Sequence, residues 1–419
     1  MLNTPLNVKR KLSDGCHLLV GQLAENKDGV YFQYDKAYLA AHPNSLSPFL
    51  IKADASLQKA PKEPHYGLHG VFGDSLPDGW GLYLMDRIFR ENGYNPQTVT
   101  ALERLAYIGE RCSGALYYEP AIAFSDSDDK EIDLITLGKE AVKEFEGTGS
   151  DFVEYLMNAS GSGGARPKLN VTKCADGRFS THTDAIGEKM IIKLTSERFS
   201  LKHSESLIEY AYMKMAANVG IEVPDFRLFD AGEGRFWLQQ TRFDCTEQGR
   251  YHMISACGLL DASFREPSLD YVDLIKATRY LCGVEEAQKL VKRALFNYLT
   301  VNQDDHAKNF AYLADDMDNW RLSPFYDVVY TPSSYGEHIT AFHGNGSIIT
   351  TKALALMAGQ AGFSSTDPLM NMLEEIYHET RQFKALANDL DIDKSLATTI
   401  DQHMQQKWIA LNIRHNSDN

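Results

Sequence analysis

The sequence is poor in the features that mark disulfide-rich, zinc-stapled and membrane-spanning proteins. Its cysteines are few, lie far apart and form no C-x-x-C pair, which argues against a zinc site or a redox dithiol. The six are Cys16, Cys112, Cys174, Cys245, Cys257 and Cys282. No apolar run approaches the roughly 18 residues of a membrane span, and no run of signal-peptide length is present near the amino terminus. We therefore expect a reduced, cytoplasmic protein without membrane contact.

Positive charge is also scarce. Lysine and arginine number 42 against 57 aspartates and glutamates, so the formal net charge is −15. A chain of this charge repels polyanions, which disfavours sequence-independent binding to DNA or RNA. The one basic cluster, "NVKRK" at 7–11, is interpreted as a solvated strand edge. With 419 residues, 43% of them hydrophobic, the chain is long enough for two or three domains.

The pattern of apolar residues predicts an α+β protein with three domains. Residues 1–124 begin with strands, with a hairpin turn at Asp28-Gly29, and continue with helices that stop at Gly93 and Gly109. Acidic "FSDSDDKEID" marks a boundary, and 125–247 combine helices with a predicted antiparallel sheet. Residues 248–419 are predicted to be mostly helical.

A glycine-rich stretch, "ASGSGGARPK" at 159–168, lies between a predicted helix and a predicted strand. Glycines allow backbone amides to approach phosphate oxygens, so Gly161, Gly163 and Gly164 indicate either a phosphate loop or an ordinary flexible turn. The stretch fits neither the dinucleotide fingerprint nor the Walker A motif.

A lysine follows on a strand whose other residues look buried. Lys193 lies in "KMIIKLT", where an ammonium group needs an anion, and Glu209 on the next predicted helix is a possible partner. The pair indicates either a lysine that contacts nucleotide phosphates or a structural ion pair.

The stretch "VNQDDHAKNF" at 301–310 concentrates polar residues between apolar flanks. Asp304 and Asn309 have the spacing of the acid and amide in the catalytic loop of protein kinases, and Asp327 follows where a second metal-binding acid is expected. Asp304 would position the phosphate acceptor, Asn309 and Asp327 would bind magnesium, and Lys308 would offset developing charge. His306, as a lone histidine, more simply orients the loop. A solvated loop remains the alternative for this stretch alone, but the ordered series of motifs favours a kinase.

These motifs together resemble the HipA family of bacterial toxin kinases over most of the chain. The resemblance is carried by "VGQL", "GVYFQYD", "LSPF", "LPDGWG" and "IGERCSGAL" in the first domain, and by "GGARPKL", "IIKL", "NQDDHAKNF" and "LSPFYDVV" later. It implies a bilobal protein-kinase-like fold with an extra N-terminal α+β subdomain and an all-helical C-terminal lobe.

The resemblance also implies roles for individual residues. Asp304 becomes the catalytic acid, Asn309 and Asp327 the magnesium ligands, and Lys193 the lysine that contacts phosphate. The remaining nucleotide contacts expected from the resemblance are Gly161, Ser162, Gly163, Gly164, Ala165, Lys168, Glu209, Thr241, Phe243 and His306.

The family's activity and partners follow as expectations. Its members use ATP and Mg²⁺ to phosphorylate serine or threonine in proteins, including aminoacyl-tRNA synthetases. They usually pair with a small helix-turn-helix antitoxin, HipB-like, so contact with DNA would be indirect. Some phosphorylate a serine in their own phosphate loop; here Ser160 and Ser162 are candidates, while Gly161 occupies the usual serine position.

Two other functions remain compatible with the sequence. A small-molecule kinase would share the spacing of Asp304 and Asn309, but the HipA-like first domain argues against it. A nucleotide-binding scaffold, or co-repressor, would hold the antitoxin on its operator DNA. Such a scaffold would not need the acid at Asp304.

Overall fold

The structure is a computed structural model that describes residues 4–124, 133–161 and 163–417. The chain forms two compact units. Unit 1 contains the described residues within Met1–Ser200, Phe229–Asp261 and Leu313–Asn319, and unit 2 contains those within Leu201–Leu228, Ala262–Tyr312 and Trp320–Asn419. The two predicted boundaries between the three domains stay predictions, and most of the predicted acidic boundary segment lies outside the described residues.

The first sheet of unit 1 has five antiparallel strands in the order β4-β3-β2-β1-β5. The strands are β1 (Leu6–Lys11), β2 (His17–Asn26), β3 (Gly29–Tyr34), β4 (Gln58–Lys59) and β5 (Leu116–Glu119). Asn26 pairs with Gly29 across a tight turn, which confirms the predicted hairpin. The alternation of buried and half-buried residues along β1 shows that one face of the sheet packs into a core.

Six helices accompany this sheet along the chain. They are α1 (Lys36–Ala41), α2 (Gly70–Gly73), α3 (Gly79–Glu91), α4 (Ala101–Ile108), α5 (Leu134–Phe145) and α6 (Val153–Asn158), with a 3₁₀ turn at Pro96–Thr98. The predicted stops are confirmed: Gly93 follows the end of α3, and Gly109 caps α4 with a positive φ of 54°. A capping box between Thr100 and Glu103 fixes where α4 begins.

The second sheet has the strand order β7-β6-β8-β10-β9. Its strands are β6 (Lys168–Lys173), β7 (Phe179–Ser180), β8 (Glu188–Lys193), β9 (Phe226–Gly232) and β10 (Arg235–Thr241). The boundary between the units falls within β9. β6 pairs antiparallel with β7 and β8, and β8 with β10, which confirms the predicted antiparallel sheet. After it come β11 (His252–Ser255) and α8 (Ala256–Leu260).

Unit 2 is built mainly from helices. They are α7 (Glu205–Asn218), α9 (Tyr271–Cys282), α10 (Val284–Thr300), α11 (Thr351–Gln360), α12 (Asp367–Thr380), α13 (Phe383–Asp389) and α14 (Lys394–Ser417), with 3₁₀ turns at Lys202–Ser204 and Ala307–Asn309. Short strands that the sequence did not predict interrupt them: β12 (Leu269–Asp270), β13 (Ala311–Ala314), β14 (Trp320–Leu322) and β15 (Thr340–Ala341). The described part of the chain contains no helix whose length and apolar character would let it cross a bilayer.

The last two turns of α10 are fully buried, from Ala294 to Thr300. The helix ends where Val301 adopts the left-handed conformation, with a φ of 57°. A β-branched residue rarely takes this conformation, so the surrounding structure must impose it. The polar turn at 301–310 begins at this abrupt end of the helix.

Substitution of Gly138 by alanine should destabilise unit 1. A Cβ atom at Gly138 on α5 would lie 2.1 Å from Cη2 of the buried Trp237 on β10. Overpacking of this kind costs about 1–3 kcal/mol, more than the roughly 1 kcal/mol that alanine gains over glycine in a helix. We expect a lower midpoint of thermal unfolding by circular dichroism. Gly359→Ala on α11 is the matched control, because nothing lies within 4 Å of its Cβ position; an unchanged midpoint for Gly138→Ala would contradict the packing argument.

Candidate active site

The polar stretch at 301–310 forms a turn whose residues are buried or half-buried, apart from the exposed Asp304. Asn302, Gln303 and Asp305 are each at most 2% exposed, whereas Asp304 between them is exposed. A buried polar side chain must find hydrogen-bond partners within the protein. The turn is therefore no ordinary solvated loop, and its buried members hold Asp304 outward.

Most partners of the buried amides come from the chain segment that follows Asp327, and the side chain of Asn302 also donates to Asn297 of α10 at 2.8 Å. Gln303 donates to the carbonyl of Gly336 at 2.7 Å and accepts from the amide of Ser333 at 2.8 Å. The hydroxyl of Thr331 donates to Asn302 at 3.1 Å and accepts from the backbone amides of Gln303 and Asp304, also at 3.1 Å. These bonds tie the backbone at Asp304 to Thr331.

Asp305 is the most connected member of the turn. Its Oδ2 accepts from the hydroxyl of Tyr271 at 2.7 Å and from Nδ1 of His338 at 2.8 Å, and its Oδ1 accepts from the amide of Thr340 at 3.1 Å. Asn297 of α10 donates in turn to the Tyr271 hydroxyl. One buried carboxylate thus joins two helices and the 331–341 segment, which is defined here as the clamp segment.

The residues predicted to carry the chemistry lie together in this turn. Nδ2 of the Asn309 side chain donates to the backbone carbonyl of Asp304 at 2.7 Å. The side-chain oxygen of Asn309 is therefore the atom left for a cation. His306 accepts from the amide of Lys308 through Nδ1, which fits the predicted loop-orienting role. The ammonium of Lys308 lies 4.3 Å from the centroid of the Phe264 ring, a cation–π contact.

Asp327 lies on a segment joined to the turn. The hydroxyl of its neighbour Tyr326 donates to the carbonyl of Lys308 at 2.6 Å. Asp327 itself has a φ of 57°, a left-handed conformation that costs roughly 1–3 kcal/mol and is found most often at functional sites. Because both Asp327 and the turn belong to unit 2, the structure brings Asp304, Lys308, Asn309 and Asp327 into one region of one unit.

In unit 1 the glycine-rich loop is held by the "LPDGWG" segment. The buried Asp78 accepts from the amide of Gly164, and the amide of Trp80 donates to the Gly164 carbonyl at 3.1 Å. Lys168 donates to the carbonyl of Gly163 at 2.6 Å. Gly164 has a φ of 108°, and a Cβ there would lie 2.3 Å from Nζ of Lys168, so only glycine fits.

The other nucleotide contacts predicted in unit 1 lie on the second sheet. Lys193 ends β8 and pairs in register with Lys168 on β6, which places the predicted phosphate lysine directly beside the end of the loop. Thr241 ends β10, where its hydroxyl donates to Glu188 at 2.7 Å, and Phe243 follows it. Glu209, the predicted partner of Lys193, is buried on α7 in unit 2; that pairing stays a prediction, as do the roles of all these residues.

Of the two serines predicted as self-phosphorylation sites, Ser160 is buried. Ser160 is 1% exposed, and its hydroxyl donates to the carbonyl of Met157 at 3.1 Å. Its modification would require the start of the loop to open. Ser162 lies outside the described residues.

The residues that hold the site in place were not predicted from the sequence. Asp305 was visible as a second acid beside Asp304, and Asp78 lay in a quoted motif, but neither received a role. Thr331 and His338 gave no local signal, because their importance arises only from contacts with residues about 30 positions earlier.

Substitution of Asp305 by asparagine should loosen the clamp segment. The side-chain amide of the variant would keep one acceptor oxygen, but its NH₂ group would face the donors that the carboxylate now accepts from. Each hydrogen bond to a charged group is worth about 1.5–3 kcal/mol, so the loss is substantial. We expect the amides of Ile339 and Thr340 to exchange with solvent deuterium at least tenfold faster, measured by peptide-resolved mass spectrometry.

Asp389→Asn is the control for this test, because Asp389 is an exposed carboxylate at the end of α13 in the same unit. It should leave exchange in the clamp segment unchanged. Protection that survives in Asp305→Asn would contradict the role assigned to the buried carboxylate.

Comparison with known proteins agrees with this arrangement. The model of the HipA-like C-terminal domain matches residues 160–408, and the model of the HipA N-terminal domain matches residues 17–119. The curated relative Y4dM of Sinorhizobium fredii, which carries the name of a suspected kinase, is 24% identical over 354 residues, covering 79% of this chain and 80% of its own.

A solved structure shares the fold. It is HipA of the toxin–antitoxin system of Shewanella oneidensis MR-1, in a complex with HipB and operator DNA. The likeness covers 96% of this chain and 95% of that one, with a TM-score of 0.67 and 19% sequence identity. Since the C-terminal family model alone spans more than half of the sequence, the chain belongs to the HipA family.

Proposed function

We propose that this protein is an ATP- and Mg²⁺-dependent serine/threonine protein kinase that acts as the toxin of a toxin–antitoxin pair. The observation that carries the proposal is the turn at 301–310. Its buried polar side chains, Asn302, Gln303 and Asp305, are hydrogen-bonded within unit 2, and the acid that a kinase needs, Asp304, is the one left exposed.

The chain's own residues suit phosphoryl transfer, which depends on positioning and charge more than on covalent chemistry. Asp304 would accept a hydrogen bond from the hydroxyl of the acceptor and take its proton as the bond to phosphorus forms. Its backbone is fixed by Thr331 and by Asn309, so the carboxylate needs little reordering. Lys308 would offset negative charge on the transferred group.

The donor set fits magnesium. Mg²⁺ prefers hard oxygen ligands and is usually held by one or two protein groups together with the substrate phosphates. Asn309 offers an amide oxygen and Asp327 a carboxylate, and both lie in unit 2. When bound, the ion would neutralise charge on the phosphates and orient them for transfer.

The nucleotide-binding half of the proposal rests on unit 1. Gly164 of the glycine-rich loop is held by its contacts with Asp78 and Trp80, and Lys193 lies beside Lys168 at the end of the loop. Thr241 and Phe243, at the end of β10, are the proposed contacts for the base. A lysine beside a glycine-rich loop is the arrangement that kinases use to hold phosphates.

The proposed partners extend the family relationship. The related Shewanella protein was solved with HipB and operator DNA, so we propose a HipB-like antitoxin for this chain, with DNA contact through that partner. The net charge of −15 suits a basic partner. An aminoacyl-tRNA synthetase is the proposed substrate class.

Replacing Asp304 by asparagine should abolish phosphoryl transfer and leave ATP binding nearly unchanged. Loss of a catalytic base typically lowers the rate by about 10²–10⁴-fold. Transfer is measured with labelled ATP and nucleotide affinity by calorimetry, with Asp389→Asn as the control. Turnover retained in Asp304→Asn would rule out the catalytic assignment.

Replacing Asp327 by asparagine should weaken binding of the magnesium–nucleotide complex itself. Asparagine tolerates the left-handed conformation of Asp327, so this change removes charge without adding backbone strain. We expect the affinity for ATP to fall at least tenfold with Mg²⁺ and to change little in EDTA. Equal losses under both conditions would contradict a metal-binding role.

The experiment that tests the function incubates the purified protein with labelled ATP, Mg²⁺ and a cytosolic lysate, beside Asp304→Asn. A lysate protein labelled only by the unaltered kinase would support the proposal, and mass spectrometry would identify it. Nucleotide binding without any labelling would favour the scaffold instead. Labelling of a small molecule alone would favour a small-molecule kinase.

A further inference from the structure

Unit 1 contains a cavity of about 410 Å³ that the proposed kinase chemistry does not use. Its walls come from β6 and β8, from the turn between β7 and β8, from the end of α6 and from the chain after β10. Its volume lies within the roughly 300–1,000 Å³ of small-molecule sites. Lys193 does not line it, and neither do the loop residues that the structure describes, Gly161 and 163–168.

The cavity is lined by more basic than acidic side chains, in a chain that is acidic overall. Five basic residues contribute: Lys11, Arg111, Lys189, Arg242 and Arg250. Three acids contribute, of which Asp184 and Glu247 are exposed. Among the described residues, Arg242 is the one cation of the five with a carboxylate partner, because it forms an ion pair with the buried Asp244 at 2.6 Å.

The other basic groups are held by neutral partners. Lys189 donates to the hydroxyl of Thr172 at 3.0 Å and to the carbonyls of Thr183 and Ala185 at 3.1 and 2.6 Å. Arg250 donates to the carbonyls of Cys112 and Gly114. These bonds fix the positions of the charges and neutralise none of them.

Arg111 and Lys11 complete the set. Arg111 donates to the side chain of Asn158 at 2.8 Å and to two backbone carbonyls, those of Ile108 and Tyr107. The side chain of Lys11 makes no hydrogen bond or ion pair with any residue that the structure describes, although its backbone amide donates to the carbonyl of Ala115 at 2.9 Å. No acid in the described ranges lies within ion-pair distance of Lys11, Arg111, Lys189 or Arg250.

The mutual proximity of these cations is costly. Burial lowers the pKa of Lys189, and the charges of Arg250, Arg242 and Lys11 lower it further. Burial also lowers the pKa of Arg111. Partly buried like charges repel one another unless an anion lies between them. A bound anion would therefore reduce the repulsion among these cations.

The hydroxyl groups of the lining narrow the class of anion. Ser180 and four threonines, Thr172, Thr181, Thr183 and Thr246, line the cavity together with the cations. A phosphate group has several acceptor oxygens and up to two charges, so it can accept hydrogen bonds from hydroxyls, ammonium and guanidinium groups at once. We propose that this cavity is a binding site for a small phosphate-bearing ligand, separate from the site of phosphoryl transfer.

The proposal is tested by calorimetry on the full chain with inorganic pyrophosphate as the probe, in the absence of magnesium. Because pyrophosphate could also bind at the proposed phosphate loop, the titrations are made in a Lys193→Met background. In this background we expect one pyrophosphate to bind in the cavity. Its affinity should fall about tenfold after Lys11→Met or Lys189→Met. The side chain of Lys11 has no hydrogen-bond partner among the described residues, so we expect Lys11→Met to leave the fold intact, which an unchanged melting temperature verifies.

Lys173→Met is the matched control, since Lys173 ends the same strand β6 but does not line the cavity. It should bind pyrophosphate as the background does. Loss of all binding in Lys193→Met alone would assign the phosphate to the loop and overturn the proposal. So would equal affinities of Lys11→Met and Lys189→Met with the background, or malonate binding as tightly as pyrophosphate.

Discussion

The buried carboxylate of Asp305 is the constraint on which the proposed catalytic region depends. It accepts hydrogen bonds from Tyr271 of α9 and from His338 and Thr340 of the clamp segment, which are distant from each other along the chain of unit 2. A buried charge without partners would be costly by several kcal/mol, so the carboxylate is tolerable only when all of them are in place. The exposed position of Asp304, one residue earlier, is a consequence of that requirement.

Unit 1 also contains a buried carboxylate that its partners stabilise, that of Asp244, which forms an ion pair with Arg242. Burial raises the pKa of Asp244, but the charge and hydrogen bonds of Arg242 and the amide of Gly114 lower it to about 2. The amide of Gly114 belongs to the "IGERCSGAL" motif, 130 residues earlier in the chain. The motifs that carry the family resemblance in the first domain are thus bound directly to the chain that follows β10.

Local patterns made much of this fold predictable. The hairpin at Gly29, the helix stops at Gly93 and Gly109 and the antiparallel sheet of β6, β7 and β8 each depend on residues within a short window, which periodicity and glycine placement reveal. Asp304 and Asn309 were recognisable because their spacing is fixed by the chemistry. The contacts of Asp78 and His338 were not predictable, because they join residues that only the folded chain brings together.

The turn of unit 2 and the glycine-rich loop of unit 1 differ in how far along the chain their supporting contacts reach. The bonds from the turn at 302–305 to the clamp segment join residues 27–35 positions apart. Asp78 reaches Gly164 across 86 positions, and Asp244 reaches Gly114 across 130. Closing longer loops costs more entropy, and folds rich in distant contacts form more slowly. The contacts of the turn at 302–305 therefore close shorter loops than the contact of Asp78 with Gly164 does, and ordering the turn costs less chain entropy per contact.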